Sequence, residues 1–541
     1  MILVTPDELT EPERALWRAF PRGEEVDLRV GAAEADDPSD DTGWGAERTV
    51  RAEVITALLT GAVQPEPGHV PGMYLTGARV AGRLRLAHAE IIWPVRMRSC
   101  SFAEPVELDG ARTRQVDLAG SRLTGLEAAL AAIDGDLELA GCRCTGRLRL
   151  TGAHVAGALR LQRIRLEHTG GTALLANRLT VDDDLLCQEA VVAGEVQLAG
   201  AQIGGMLGLD EARLENPGGR ALNAFNLTVG AHLWARRGFA AVGEIALGDA
   251  GVGRDLDLSG AHLRNPGANA LFAHGLTVGT LLNLGHGFRA DGAVRLRRAQ
   301  IGGSLYLRDG RLANPGGDAL DCRHVQGREL VMRTAEPIEG VVDLRHARFE
   351  VVRDDPDTWP AELRLDGLGY DALDPRLAAG RRLMWLRRTG GAYLPQVYEQ
   401  LAGTYRRLGD ETDARTVLLA KQRHRWRTLT WYARIWGRLQ DLTVGYGYRP
   451  MRAGGWLVAL TVLGTIVFGV DHPPAVRGGD PPAFNPLIYT LDLLLPIVDF
   501  GQERAYQPEH AQRWLAYALI AVGWLLATTI AAGITRALRR E

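Results

Sequence analysis

Two thiols spaced as Cys142-Arg143-Cys144 are the first residues whose chemistry has to be weighed. On a strand, positions i and i+2 share a face, so both sulfurs point the same way. A redox pair ordinarily uses Cys-x-x-Cys at a helix start, where the dipole stabilises a thiolate. Inward cysteines in an apolar column are therefore the reading this spacing favours. Gly251-Val252-Gly253 lacks the third glycine and the following helix of a dinucleotide site. His154, His262 and His274 stand apart from any carboxylate or cysteine cluster, which argues against a metal. No zinc-protease, phosphate-loop or nucleophile-elbow pattern occurs. The sequence thus assigns no catalytic, cofactor-binding or metal-binding residue, and it gives no linear motif for an enzyme. What remains are charges: Arg83, Arg85, Arg147, Arg149, Arg160 and Asp257 alternate with leucines.

Those charges need an element that repeats. Ala-x-(Ile/Val), followed four residues later by Leu-x-Leu, opens at Ala153, Ala201, Ala250 and Ala299, at intervals of 48, 49 and 49 residues. Leu-Thr-Val keeps the same phase at Leu179, Leu227 and Leu276. Asn-Pro-Gly does so at Asn216, Asn265 and Asn314, with His168-Thr169-Gly170-Gly171 as a worn copy. A fixed period of this size means a stacked array. Leu-x-Leu recurs every ten or eleven residues, as at Leu84/Leu86, Leu148/Leu150, Leu159/Leu161 and Leu256/Leu258. Alternation sends the leucines inward and the charges outward. Runs this short, broken by glycine and Asn-Pro-Gly, cannot be helices of useful length. The fold class expected is mainly β: a parallel β-helix, with two coils per period and Asn-Pro-Gly marking a loop.

Composition limits the partners. The chain has 541 residues and a formal net charge of −3, which offers nucleic acid no large basic field. Five cysteines are an odd, sparse count that fits a reducing compartment. The first twenty residues show no signal-peptide pattern. Residues 1–68 are expected to form a helical cap, with helices over Leu9 to Phe20 and Thr49 to Leu59 and an acidic loop from Ala32 to Trp44. The solenoid is expected over 69–350, a linker over 351–375 and a helical juxtamembrane region over 376–450.

Within the array, Leu256-Asp257-Leu258-Ser259-Gly260-Ala261-His262-Leu263 resembles the grammar of pentapeptide-repeat proteins, although the long period is not theirs. The resemblance implies a right-handed β-helix and brings no catalytic residue. Pro395 to Ala402, Tyr405 to Asp410 and Asp413 to Arg415 resemble one tetratricopeptide-type hairpin or a generic helix pair, turning at Gly409. Lys421 to Arg427 is a basic run, read either as a solvated face or as a contact for anionic lipid.

The last ninety residues, 451–541, read as a membrane domain. Uncharged runs at 453–470 and 514–535 have the length to cross a core about 30 Å thick. Arginines flank their outer ends, which places both termini in the cytoplasm and the protein in the inner membrane, with the lipid bilayer as a partner. Between the runs, Asn485 to Pro496 and Val498 to Gln502 resemble the short helix and glycine turn of two-span channel pores. The filter is absent there, so an interfacial helix is the preferred reading. Thr443-Val444-Gly445-Tyr446-Gly447 spells the potassium-channel filter, but it precedes the first run and reads as a turn.

The function expected is a membrane-anchored scaffold or adaptor. It would present its solenoid to an unknown protein partner, with a homo-oligomer possible and no nucleic acid bound. Proteins of this layout have been labelled membrane-associated oxidoreductases, which is one alternative. An oligomeric pore regulated by the solenoid is another.

Overall fold

The computed structural model describes residues 8–31, 34–390, 393–427, 450–476, 483–495 and 497–538. They divide into two compact units. One comprises Met1–Leu377 and Trp385–Gly391, the other Ala378–Met384 and Ala392–Glu541.

The first unit is a parallel β-solenoid of about fourteen coils. In its upper part, two-residue strands begin at Val106, Arg112, Val116, Arg122, Leu126, Ala132 and Leu137. Each coil has four such sides. A strand of two residues cannot hold itself together, so each pairs in parallel with its copy one coil on, as Val116 does with Leu137 and Leu126 with Leu148. From Val116 to Leu137 is 21 residues, so the ten-to-eleven-residue beat is half a coil. Leu84, Leu148, Leu159 and Leu256 are all buried, as alternation requires. Each such leucine contributes about 1.5–3 kcal/mol of apolar burial, which explains how short strands persist.

The long period follows from two kinds of coil. From Leu207 to its partner Leu233 is 26 residues, and from Leu233 to Leu256 is 23. From Leu256 to Leu282 is again 26, and from Leu282 to Leu305 again 23. The longer coils carry eleven-residue strands, Arg213–Asn223, His262–Phe272 and Arg311–Asp321, in which Asn-Pro-Gly bulges outward. The asparagine closes each bulge. Asn216, Asn265 and Asn314 donate from Nδ2 to the carbonyls of Arg220, Asn269 and Asp318 at 2.7–2.9 Å. Gly218, Gly267 and Gly316 turn the chain at φ +75° to +79°. Gly170 of the worn copy adopts +75° as well, within Arg165–Leu175.

Each shorter coil carries a glycine beneath the preceding bulge. These are Gly194, Gly243, Gly292 and Gly340, with φ from +115° to +132°. A Cβ on Gly243 would lie 2.6 Å from the Asn216 carbonyl oxygen and 2.9 Å from that of Gly219. The bulge therefore rests on a position that must have no side chain.

The stack is closed at its start. Helix Glu11–Ala19 is opened by a Thr10/Glu13 capping box, and helix Ala52–Leu59 follows strand Thr49–Arg51. Buried Glu13 also pairs with Arg51 at 2.8 Å. Burial alone would raise the Glu13 carboxyl, but bonds from Arg51 and Thr10 outweigh it and hold the pKa at about 2. At the other end, strands Arg348–Asp354, Glu362–Arg364 and Gly369–Asp374 continue the ladder through the stretch expected as a linker. Residues 385–390 finish it. Trp385 is fully buried, with its ring 6.4 Å from Tyr370 in an edge contact, and the Leu363 amide donates to the Arg388 carbonyl at 2.9 Å.

In the second unit, helices Pro395–Arg407 and Glu411–Arg427 form the expected hairpin, with Gly409 between them at φ +77°. Among the described residues four more helices follow: Pro450–Val470, Pro486–Leu494, Gln502–Ala505 and His510–Leu538. Asn485 caps the short Pro486–Leu494 helix by accepting from the Leu487 and Ile488 amides. Buried Asp492 gathers the loop after it, accepting from the amides of Phe500, Gln502 and Glu503 at 2.7–2.8 Å.

This unit corrects the membrane reading. Among the described residues no helix is long and apolar enough to cross a membrane. The spans expected at 453–470 and 514–535 are therefore not supported. Neither is the inner-membrane location with cytoplasmic termini that was built on them, nor the bilayer as partner. Part of the apolar character has another use. Phe468, Tyr489, Leu493, Leu494 and Leu519 form a buried cluster in which the short helix packs against both long ones. The short helix is thus a packed element rather than an interfacial one. The same helices leave Val458, Ile466 and Trp524 exposed.

Candidate interaction surface

The solenoid turns the outward positions of each strand into columns. Neighbouring strands in a sheet lie about 4.8 Å apart, so a residue and its register partner form successive rungs at that spacing. Most of the arginines singled out from the sequence are engaged across coils. Arg83 meets Glu107 at 2.9 Å and Arg147 meets Glu127 at 3.3 Å. Arg149 lies 3.4 Å from Glu127 and 3.9 Å from Asp109. Arg160 pairs with Asp136, an exchange that lowers the carboxyl against the effect of burial and raises the guanidinium. Arg85 instead forms a parallel bridge with Glu107 through its backbone. Asp257 accepts from the Ser259 amide and from Asn283 Nδ2, both at 2.9 Å. Exposed pairs of this kind are worth about 0–1 kcal/mol each, so they set register more than stability.

The densest ladder lies on the last coils. Arg297 and Arg323 reach Asp321 at 2.5 and 2.8 Å, and Arg345 reaches Asp343 at 2.6 Å. Arg364 lies 3.2 Å from Asp318 and 3.7 Å from Asp343. Asp321 and Asp343 are both fully buried. Burial pushes the Asp321 carboxyl up, and Arg297 opposes that shift. Sequence reasoning did not find this ladder. Arg323 and Arg345 stand two positions from the carboxylates they bind, but Arg297 lies 24 positions from Asp321 and Arg364 lies 21 from Asp343 and 46 from Asp318, and the coil length brings these together.

A different column stays open. Arg79, Ser101, Arg122, Arg143 and Arg165 are successive register partners. Asp41, from the acidic loop of the cap, sits on the first three rungs. Its carboxylate lies 3.5 Å from Arg79 and 3.4 Å from Arg122, and it accepts from the buried Ser101 hydroxyl at 2.8 Å. Arg143 and Arg165 below are exposed, with no ion pair among the described residues. Lys421 is the only lysine in the sequence, so every cation on the solenoid columns is a guanidinium or an imidazole. A guanidinium presents a planar fork matched to carboxylates.

The other candidates resolve simply. Cys142 and Cys144 are buried, as are Cys100, Cys187 and Cys322. Burial pushes the thiols of Cys100, Cys142 and Cys187 to about 12 and that of Cys144 to about 11, which removes thiolate chemistry at neutral pH. His154 meets Asp182 at 3.0 Å in an exposed pair, and His262 meets Asp291 at 3.3 Å, with Arg264 at 4.0 Å from the same carboxylate. The His274 ring lies 6.1 Å from that of Phe272, tilted by 48°. Among the described residues no group of three or more metal-ligating side chains assembles. In the basic run, Lys421 pairs with Glu399 and His424 meets the Tyr398 hydroxyl at 2.9 Å, so part of it serves the helix hairpin. Thr443 to Gly447 lies outside the described residues. No family model, curated protein or solved structure matches the chain.

Proposed function

We propose that the chain is a scaffold whose solenoid presents rigid columns of charged side chains to a protein partner. The observation that carries this reading is the parallel pairing of coil on coil, which sets outward side chains in columns over about fourteen coils, with register shifts where the bulges stand. Inter-coil ion pairs knit that surface, so docking onto it costs little ordering entropy. The four short strands that recur in each upper coil support the same view, since a repeated side gives a repeated surface.

The test is affinity capture with the intact chain, followed by hydroxyl-radical footprinting of the complex. A retained partner should protect outward residues on several consecutive coils. Retention of no partner, or protection confined to the helices after Ala392, would overturn the proposal.

A further inference from the structure

The acidic loop of the cap is a bound ligand in all but connectivity. Residues 34–44 are held by their own contacts: Asp36 accepts from the amides of Val30 and Gly31 and pairs with Arg48 at 2.8 Å. Arg48 lies 3.8 Å over the buried Trp44 ring, and Trp44 Nε1 donates to the Ala35 carbonyl at 2.9 Å. From that anchored frame Asp41 reaches the column and takes Arg79, Ser101 and Arg122 together. Its carboxylate is largely shielded from solvent, at 13 % side-chain exposure. The site thus holds a carboxylate between two guanidinium groups, with a buried hydroxyl between them.

The column does not stop where the loop does. Arg143 is the rung after Arg122 and Arg165 the rung after that, each about 4.8 Å further on. Exposed Val191 and then exposed Arg213 follow in the same register. Asp37 comes near enough to feel the next rung. The Ser39 amide, above all, holds its carboxyl below the ordinary range, and the field of Arg143 adds to that. The carboxylate nearest Arg165 in sequence is Glu167 on its own strand, and Glu189 stands at the corner of the next coil. Neither forms an ion pair with it among the described residues.

We propose that Arg143 and Arg165 dock an acidic segment of a protein partner, whose carboxylates take these rungs as Asp41 takes the first three. This rests on the scaffold reading and names the chemistry of its partner. Guanidinium forks favour carboxylates, and the chain itself supplies the example, so an acidic peptide is the occupant the geometry selects.

A fluorescently labelled peptide copying residues 35–44, titrated with the intact chain, tests the assignment. The peptide should bind, and R143E/R165E should weaken it by about tenfold or more, because like charges then face the ligand. R143Q/R165Q should weaken it in the same direction, which keeps the test open if charge reversal disturbs folding. D41N should strengthen binding by freeing the upper rungs. Equal affinity in wild type and both double variants, equal affinity for a peptide with every Asp changed to Asn, or displacement of the peptide by a lower charge equivalent of polyphosphate would each overturn the proposal. If the captured partner still binds R143E/R165E, the scaffold stands and this assignment falls. If the intact chain captures nothing, the scaffold reading itself falls.

Discussion

Bulged coils and plain coils do the same work by opposite means. The bulged coil at Arg213–Asn223 takes Asn216, Pro217, Gly218 and Gly219 outward and closes them with one side-chain bond. The plain coil at Ala240–Ala246 has nothing to project, and at Gly243 it gives up its side chain to receive the bulge above. The difference teaches that the 49-residue unit is a pair of unlike coils, a loop and its seat. Neither half would recur alone at that spacing.

The seat is the more fragile partner. Gly243→Val places a branched side chain at φ +115°, against two carbonyl oxygens. A loss of more than about 3 kcal/mol is expected in urea unfolding of the intact chain. A loss under about 1 kcal/mol would mean the bulge can lift off its seat. Leucines common to both coil types should not tell them apart. Leu256→Ala and Leu282→Ala, each buried on the same side of successive coils, should each cost about 2–5 kcal/mol and agree within error. A clear disagreement would show that one coil type repacks and the other does not.

Closing the loop matters less. Asn265→Ala removes the bond to the Asn269 carbonyl and should cost about 1 kcal/mol, with no change in far-ultraviolet circular dichroism. Deleting Asn265 to Ala268 should convert a bulged coil to a plain one and move the melting temperature least of all, since the bulge lies on the surface. Cooperative unfolding should survive that deletion. Its loss would mean the bulge carries register information that the paired strands lack.

Much of the solenoid was legible in the chain. Leu84, Leu148, Leu159 and Leu256 point inward as alternation demands, and Asn-Pro-Gly marks the loops. The seat glycines escaped notice because a lone glycine before Val or Ile, as in Gly194-Glu195-Val196 and Gly243-Glu244-Ile245, looks ordinary until the bulge above it is known. The closing strands from 351 to 374 were missed because the Ala-x-(Ile/Val) marker disappears there while the pairing continues. The arginine pairings across coils depend on coil length, which no single coil announces. The membrane reading failed because an uncharged helical run carries the same letters whether lipid or Tyr489 and Leu493 lie against it. The open column was visible only as scattered arginines. It took the register to align them and Asp41 to show what they hold.

The sealed cysteines give the molecule its own clock. Four lie between Cys100 and Cys187 and the fifth, Cys322, stands near the far end, each with its sulfur shut away from reagent. Alkylation of the folded protein would therefore report breathing rather than surface chemistry. The order in which these five sulfurs are tagged would show from which end the stack frays.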